Sequence, residues 1–399
     1  MIYHFIKLIW NRKRRNFLTV VGVGISFFVM FLVATSLVHI SANYLQPLGF
    51  EFQNVWFLTL DWKDAPDEEV RSTLEQIENA LNTSGVVHFH AYSRSYLFMP
   101  SATSTTNLEY GEKEMSVKVL QTGDQYAEVL HIPLLQGRWF DFQDNDRLRI
   151  PVVINRRLQE ELLPDKDPVG KILISDDKEM EIIGVIERFR NGGIYSTDKP
   201  TIFRRIGLDG ESSFKRLVSD PMMTRLLFRV DPGTGMDFER ALIQQINAIA
   251  RNWTIKVKYL EDEEVSANRQ NLIFPLIWTI VSGFLLINVA LGLFGIIWYN
   301  TQRRRSEIGL RKAVGSTTRL ILVQIVGEAL VLTVFGMLIG SLFAVQFPLL
   351  GVFKMITAGE YISAYISTVL LIALIGILCA LYPAWQASIV QPAQALHEE

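Results

Sequence analysis

Four long stretches of this chain carry almost no formal charge, and that distribution constrains the fold more than any other feature. A helix needs about 20 mostly apolar residues to cross a bilayer. The first stretch covers 17–40 and the second 272–300, neither with a charged residue. The third covers 320–350 and holds a single acid, Glu328; the fourth covers 364–383. The sequence therefore predicts an α-helical membrane protein with four transmembrane helices, one followed by three. A large α+β extracytoplasmic domain lies between the first and second. A signal peptide is the competing reading of the first stretch. That stretch is longer than the roughly 7–15 apolar residues of a signal core, and no small-residue cleavage site follows it in His39–Tyr44.

Basic residues set the orientation. The N-terminal segment carries Lys7, Arg12, Lys13, Arg14 and Arg15, with no acid before Glu51. The segment 301–319 carries Arg303, Arg304, Arg305, Arg311, Lys312 and Arg319 against one acid, Glu307. The outer loop 351–363 has only Lys354 and Glu360. The positive-inside rule then places both termini, the 301–319 segment and the tail 384–399 on the cytoplasmic side of the membrane. Residues 41–271 lie outside; they hold 27 basic and 36 acidic residues. Residues 1–16 place Ile2, Phe5, Ile6 and Ile9 at helical spacing beside the basic cluster. They read as an amphipathic helix on the inner membrane surface, in contact with anionic lipids, or as a topology signal alone; the two are compatible.

The outer segment is long enough for one or two subdomains. Asn54–Leu60 reads as a strand, Pro66–Asn82 as a helix with Val70, Leu74, Ile77 and Leu81 on one face, and Val86–Phe98 as one or two strands. The order recurs near the end: strand Arg225–Val230, helix Met236–Arg251, strand Trp253–Leu260. Strands at Met115–Leu120, Arg149–Ile154, Lys171–Ile174 and Glu179–Ile186 fall between. An α/β core from about 41–99 and 223–271, with a β-rich insertion over about 100–222, follows.

No catalytic constellation emerges. His88 and His90 could share a strand face as metal ligands, but no further ligand has fitting spacing, and no metal site is expected. Gly170-Lys171 is not a phosphate loop, because Asp165 stands where the earlier glycine belongs and Ile172 replaces Ser/Thr. Cys379 is the single cysteine, so the domain has no internal disulfide to rely on. The net charge of −2 gives no indication of a nucleic-acid partner.

The segment Arg303-Arg304-Arg305-Ser306-Glu307-Ile308-Gly309-Leu310-Arg311-Lys312-Ala313-Val314-Gly315-Ser316 is the most specific part of the chain. It resembles the signature after the second span in ABC transporter permeases of the MacB/FtsX/LolC-type superfamily, roughly R-x-x-E-I-G-I/L-R-K-A-L/V-G-A/S. Gln324 and Glu328 in a Gly-rich third span fit the same pattern. So does Tyr382-Pro383-Ala384-Trp385-Gln386-Ala387-Ser388, with Gln391-Pro392 and Ala395-Leu396 after it. Val152-Val153-Ile154-Asn155, Leu163-Pro164, Asp167-Pro168-Val169-Gly170-Lys171 and Ile183-Gly184-Val185-Ile186 resemble the MacB-type periplasmic core domain. The likeness runs along the whole chain.

That resemblance implies a permease subunit of a bacterial inner membrane, its large domain in the periplasm, without catalytic activity of its own. It would work in a dimer with itself or a related permease, above a cytoplasmic ABC ATPase that binds ATP and Mg. Only 16 residues precede the first span, so a separate ATPase chain is expected. Export of antibiotics, peptides or lipid-linked substrates is the leading expectation, with an adaptor and an outer-membrane channel as further partners. Lipoprotein extraction, or a regulatory scaffold that activates a wall enzyme, is the alternative.

The expected coupling residues are Arg304, Glu307, Ile308, Gly309, Leu310, Arg311, Lys312 and Gly315. Glu307 to Val314 can make about two helical turns. Ile308, Leu310 and Val314 would offer apolar contact, Arg311 and Lys312 charge, Gly309 close approach, and Gly315 a helix end. An acid within a span is costly and marks a functional position. Glu328 lies near the cytoplasmic end, so snorkelling, or pairing with Arg319 or a basic residue of the first helix, is preferred over proton transfer. Gly336 and Gly340 form a small-xxx-small pair for close helix packing, within the subunit or across a dimer.

Overall fold

The computed structural model describes residues 13–63, 65–99, 104–145, 147–164, 167–351 and 355–389. The basic residues Lys7 and Arg12, and the side chains of Lys13, Arg14 and Arg15, lie outside that description, as does most of the expected surface helix. Two compact units emerge: an α+β unit, Asn43–Asn271, and a helical unit formed by the chain before and after it. Helix α1, Lys13–Tyr44, begins the described chain.

In the α+β unit, β1 (Val55–Asp61), α2 (Asp67–Asn82) and β2 (Val87–Ser93) precede an insertion. The insertion contains β3 (Ser104–Tyr110), β4 (Lys113–Thr122), α3 (Tyr126–Val129), β5 (Leu134–Gly137), β6 (Ile150–Asn155) and α4 (Arg156–Leu162). It continues through β7 (Ile172–Ser175), β8 (Lys178–Ile186), β9 (Thr201–Arg205) and α5 (Glu211–Val218). Then β10 (Arg225–Val230), α6 (Met236–Ile249) and β11 (Thr254–Tyr259) complete the unit.

The two flanking parts make one antiparallel sheet in the order β11-β1-β10-β2. With α2 and α6 this is a β-α-β-β-α-β arrangement divided by the insertion. The apolar stripe Val70, Leu74, Ile77 and Leu81 of α2 packs with Leu242 and Ile246 of α6 on Leu58, Leu226 and Phe228. Alternate strand residues point to the other face. There Phe57, Ala91 and Leu227 join Phe50, Phe98, Tyr126, Phe189 and Phe203 in a second core.

The insertion closes on itself. Strand β4 pairs with β3 and, in parallel, with β9; β9 pairs with β6, β6 with β8, β8 with β7, and β7 with β3. That ring is a six-stranded barrel, and closure leaves no exposed strand edge within it. Val117, Val119, Val152, Ile154, Met180, Ile182 and Ile202 fill its interior. Leu120, Val153 and Phe203 point outward into the second core. Strands β3 and β9 and helices α4 and α5 carry weak periodicity and are absent from the sequence reading. The strand expected over Val86–Phe98 stops at Ser93, because Ser93 Oγ bonds the Ser95 carbonyl and Phe98 takes a left-handed backbone, φ 62.

Helix α7 (Leu260–Arg303) begins in the α+β unit, and from Leu272 the helical unit continues through it to α8 (Arg305–Ala313), α9 (Thr318–Ala344), α10 (Gln346–Leu349) and α11 (Ala358–Ile389). Helices α1, α7, α9 and α11 contain the four segments long and apolar enough to cross a membrane. Helix α11 starts before the fourth apolar stretch. Its N-terminus is built by Thr357 and Glu360, whose carboxylate accepts from the Thr357 amide at 2.7 Å and faces His39 of α1 at 3.1 Å. Ser341 and Tyr365 hydroxyls meet at 2.8 Å between α9 and α11.

Gly336 and Gly340 of α9 lie against α1. A Cβ on Gly336 would fall 2.5 Å from Val23, and one on Gly340 would fall 2.6 Å from the Gly24 carbonyl oxygen. Close contact of this kind substitutes for the hydrophobic force that lipid cannot supply between helices. Gly340→Leu should therefore cost roughly 1–3 kcal/mol, as overpacking does. Gly22→Leu on α1, where nothing lies within 4 Å, should cost little. Thermal unfolding of the detergent-solubilised chain distinguishes the two.

Candidate functional site

The segment between α7 and α9 forms a connected network of charged and amide side chains. Helix α7 stops at Arg303, and Arg304 leaves helical geometry with φ −106 and ψ 17. The chain turns there and restarts as α8. Helix α8 ends in a Schellman motif: Ser316 N donates to Arg311 O at 2.9 Å and Gly315 N to Lys312 O at 3.1 Å. Gly315 sits at φ +99, a conformation that glycine adopts without Cβ strain.

Five side chains lock this turn to α9. Arg304 Nη1 donates to both oxygens of Glu328, at 2.9 and 3.0 Å, while its Nε donates to Glu307 Oε2 at 3.0 Å. Arg311 donates to the other Glu307 oxygen at 2.5 Å and to Gln324 Oε1 at 2.9 Å. Gln324 Nε2 approaches Glu328 Oε1 at 3.4 Å. The chain of contacts runs Arg311–Glu307–Arg304–Glu328–Gln324 and back to Arg311.

The expected partner for Glu328 was Arg319 or a base on the first helix; the structure places Arg304 against it, and the basic side chains of the first helix lie outside the described residues. Arg319 precedes Glu328 by nine residues on the same helix. At about 100° per residue that is half a turn of offset, which puts it on the opposite face. The break at Arg304 is what carries a base to the correct face.

The expected coupling residues divide into two groups. Ile308, expected to meet a partner, is 7% exposed and belongs to the helical core. Gly309 is buried beside it. Leu310 and Val314 point outward, at 54% and 82% exposure. Arg311 is exposed and Lys312 half-buried on the same short helix. One side of α8 is thus taken up by the bundle, and the other presents two apolar side chains beside basic ones.

In the α+β unit, His88 and His90 take separate carboxylate neighbours. His88 Nε2 meets Asp231 at 2.7 Å and His90 lies 3.9 Å from Glu78.

Arg190, absent from the sequence reading, is fully buried at 1% exposure. Its guanidinium donates to the carbonyls of Gln46 (2.6 Å), Ile194 (2.5 Å) and Ser196 (2.7 Å). The same loop accepts from Asn43 Nδ2 at Tyr195 O, 3.4 Å, and from Asn271 Nδ2 at Gly192 O, 2.9 Å. Both ends of the α+β unit are therefore fastened to one loop. The adjoining Gly192-Gly193 pair is the only trace of this in the sequence, and a glycine pair alone does not announce a buried arginine.

Two family descriptions match the chain. "MacB-like periplasmic core domain" matches residues 16–248, and "FtsX-like permease C-terminal" matches residues 279–392. The macrolide export ATP-binding/permease protein MacB of Bdellovibrio bacteriovorus is 25% identical over 312 residues, covering 75% of this chain and 47% of that protein. The protein of the same name from Pectobacterium atrosepticum is 25% identical over 311 residues, covering 75% and 46%. The chain thus spans about half the length of these relatives. The crystal structure of the periplasmic region of MacB from Actinobacillus actinomycetemcomitans aligns with a TM-score of 0.38 at 14% identity, over 56% of this chain and 97% of that one.

A double-mutant cycle tests the network. Arg304→Gln should lower unfolding stability by about 2–4 kcal/mol, since it leaves the Glu328 carboxylate half-buried without a cation, and Glu328→Gln should cost less, because Arg304 keeps its pair with Glu307. The double variant should cost little more than the worse single, giving a coupling energy of about 1–3 kcal/mol in detergent-based unfolding.

Proposed function

The chain belongs to the permease family that joins a MacB-like periplasmic core domain to an FtsX-like C-terminal region, and from that premise we propose that it is the transmembrane subunit of an ABC exporter that converts ATP hydrolysis on a partner ATPase into movement of its α+β unit. The observation that carries this reading is the two-sided α8. Its outward face, with Leu310 and Val314, suits a groove on an ATPase. Its inward face is tied by charge to α9 through Arg304 and Glu328.

A push on the outward face reaches α9 through a charge-assisted pair rather than through a loop. Such pairs are directional and strong when half-buried. From α9 the displacement passes to α1 at the Gly336 and Gly340 crossing, and to α11 at Gly376, whose Cβ position lies 2.7 Å from Thr333 Oγ1. Close-packed interfaces shift as blocks and do not absorb displacement smoothly.

Basic residues in 301–319 support a cytoplasmic position for α8, and so an inner-membrane protein with both termini inside. The names of the relatives make macrolide-type amphipathic compounds the first substrates to assay, ahead of peptides and lipid-linked cargo. A second permease subunit, an adaptor and an outer-membrane channel are the further partners of this proposal. ATP and Mg would sit on the ATPase.

Glu307→Ala and Gly309→Leu should each assemble with the co-purified ATPase yet reduce substrate-stimulated ATP hydrolysis by about tenfold, the scale of a 1–2 kcal/mol coupling term. Full stimulation in correctly inserted variants would contradict the assignment of α8.

A further inference from the structure

One end of the six-stranded barrel gathers arginines. Arg204, near the end of β9, stands in register with Gln121 on the parallel strand β4. Both follow the inward parity of Ile202 and Val119, which fill the barrel. Arg94, just after β2, donates from Nη1 to Gln121 Oε1 at 3.2 Å and to the Arg216 carbonyl at 2.7 Å. Arg216 on α5 in turn donates to the Arg205 carbonyl at 3.1 Å, at the last residue of β9. Three guanidinium groups, from β2's end, β9 and α5, are thereby drawn to the end of the barrel where β4 and β9 finish.

Among the described residues no carboxylate lies within ion-pair distance of them. Arg205, next to Arg204 but facing outward, is paired with both oxygens of Asp124 at 2.6 Å. Arg94, Arg204 and Arg216 form no ion pair among the described residues. Their hydrogen-bond acceptors are neutral: the Gln121 amide, carbonyls, the Ser212 and Ser213 hydroxyls for Arg216, and Ser175 Oγ at 3.3 Å with Met180 Sδ at 3.5 Å for Arg204. The Nε atoms of all three are buried without a partner. Burial pulls each of the three guanidinium groups below its ordinary pKa, and Arg204 and Arg205 add to that effect at Arg216. Asp220 and Asp176 oppose it at Arg94 and Arg204 only.

Like charges in a half-desolvated site are costly unless a counter-charge completes them. Guanidinium forks match tetrahedral and planar oxyanions, and barrel mouths are recurrent ligand sites. We propose that this mouth binds an oxyanion group of the phosphate or sulfate type, held by Arg94, Arg204 and Arg216 around Gln121. The group is supplied either by a free ion or by an anionic lipid or substrate headgroup. The site is independent of α8 and of the transport reading.

The test uses the full chain in nanodiscs. Replacing chloride by inorganic phosphate at constant ionic strength should raise the thermal midpoint. Arg204→Gln should need about tenfold more phosphate for the same rise, as the loss of one charge-assisted contact implies. Gln121→Glu, which supplies an internal carboxylate, keeps the test independent of whether the arginine variant folds. It should raise the midpoint without phosphate and abolish the phosphate response. Comparing phosphatidylglycerol with phosphatidylcholine nanodiscs separates the sources. A gain with phosphatidylglycerol that Gln121→Glu removes assigns the headgroup, and a gain with inorganic phosphate alone assigns the free ion. No response to either, or an unchanged response in Gln121→Glu, overturns the proposal.

Discussion

The carboxylate of Glu328 sits in a helix apolar enough to cross a membrane, where a charge is costly without a partner. Arg304 supplies that partner with both oxygens engaged by one guanidinium nitrogen. Meeting this requirement dictates much of the surrounding structure. Helix α7 has to end one residue earlier, the chain has to turn at Arg304, and α8 has to begin at an angle that brings Glu307 and Arg311 into the same network. The Schellman end at Gly315 then returns the chain into α9 with Gln324 facing Arg311. The short helix is thus anchored at both its ends, and its outward residues are presented on a rigid element.

Other charges do comparable work in the α+β unit. Arg190 holds the carbonyls of the segment after α1 and of its own loop, and Asn271 bonds the same loop from the side of α7. The two strands of chain that leave this unit are therefore joined through a common loop. The central aromatic core of Phe50, Phe98, Tyr126, Phe189 and Phe203 then couples that loop to both the sheet and the barrel.

Much of this was legible in the residues. The four spans follow from charge-free stretches, and the flanking strand–helix–strand units follow from periodicities of 2 and 3.6. Part of the motif from Arg304 to Gly315 coincides with the polar network around Glu328. What stayed hidden depends on contacts distant in sequence. The barrel is closed by the parallel pairing of β4 with β9, and β9 is five residues with two arginines. The partner of Glu328 depends on a helix break, which a run of arginines does not reveal. Ile308 and Leu310 look alike in the sequence, and only the direction of α8 sends one inward and the other out. Arg190 resembles any basic loop residue until the carbonyls around it are in place.

In the proposed mechanism, force entering at α8 reaches the α+β unit through the Arg304–Glu328 pair. The most direct measurement labels Asp237→Cys, fully exposed on α6, in a Cys379→Ser background and records spin–spin distances between permease copies in the ATPase complex with and without ATP. The expected result is an ATP-dependent shift in distance that disappears in Glu328→Gln while the complex stays assembled. A shift of the same size in that variant would contradict it.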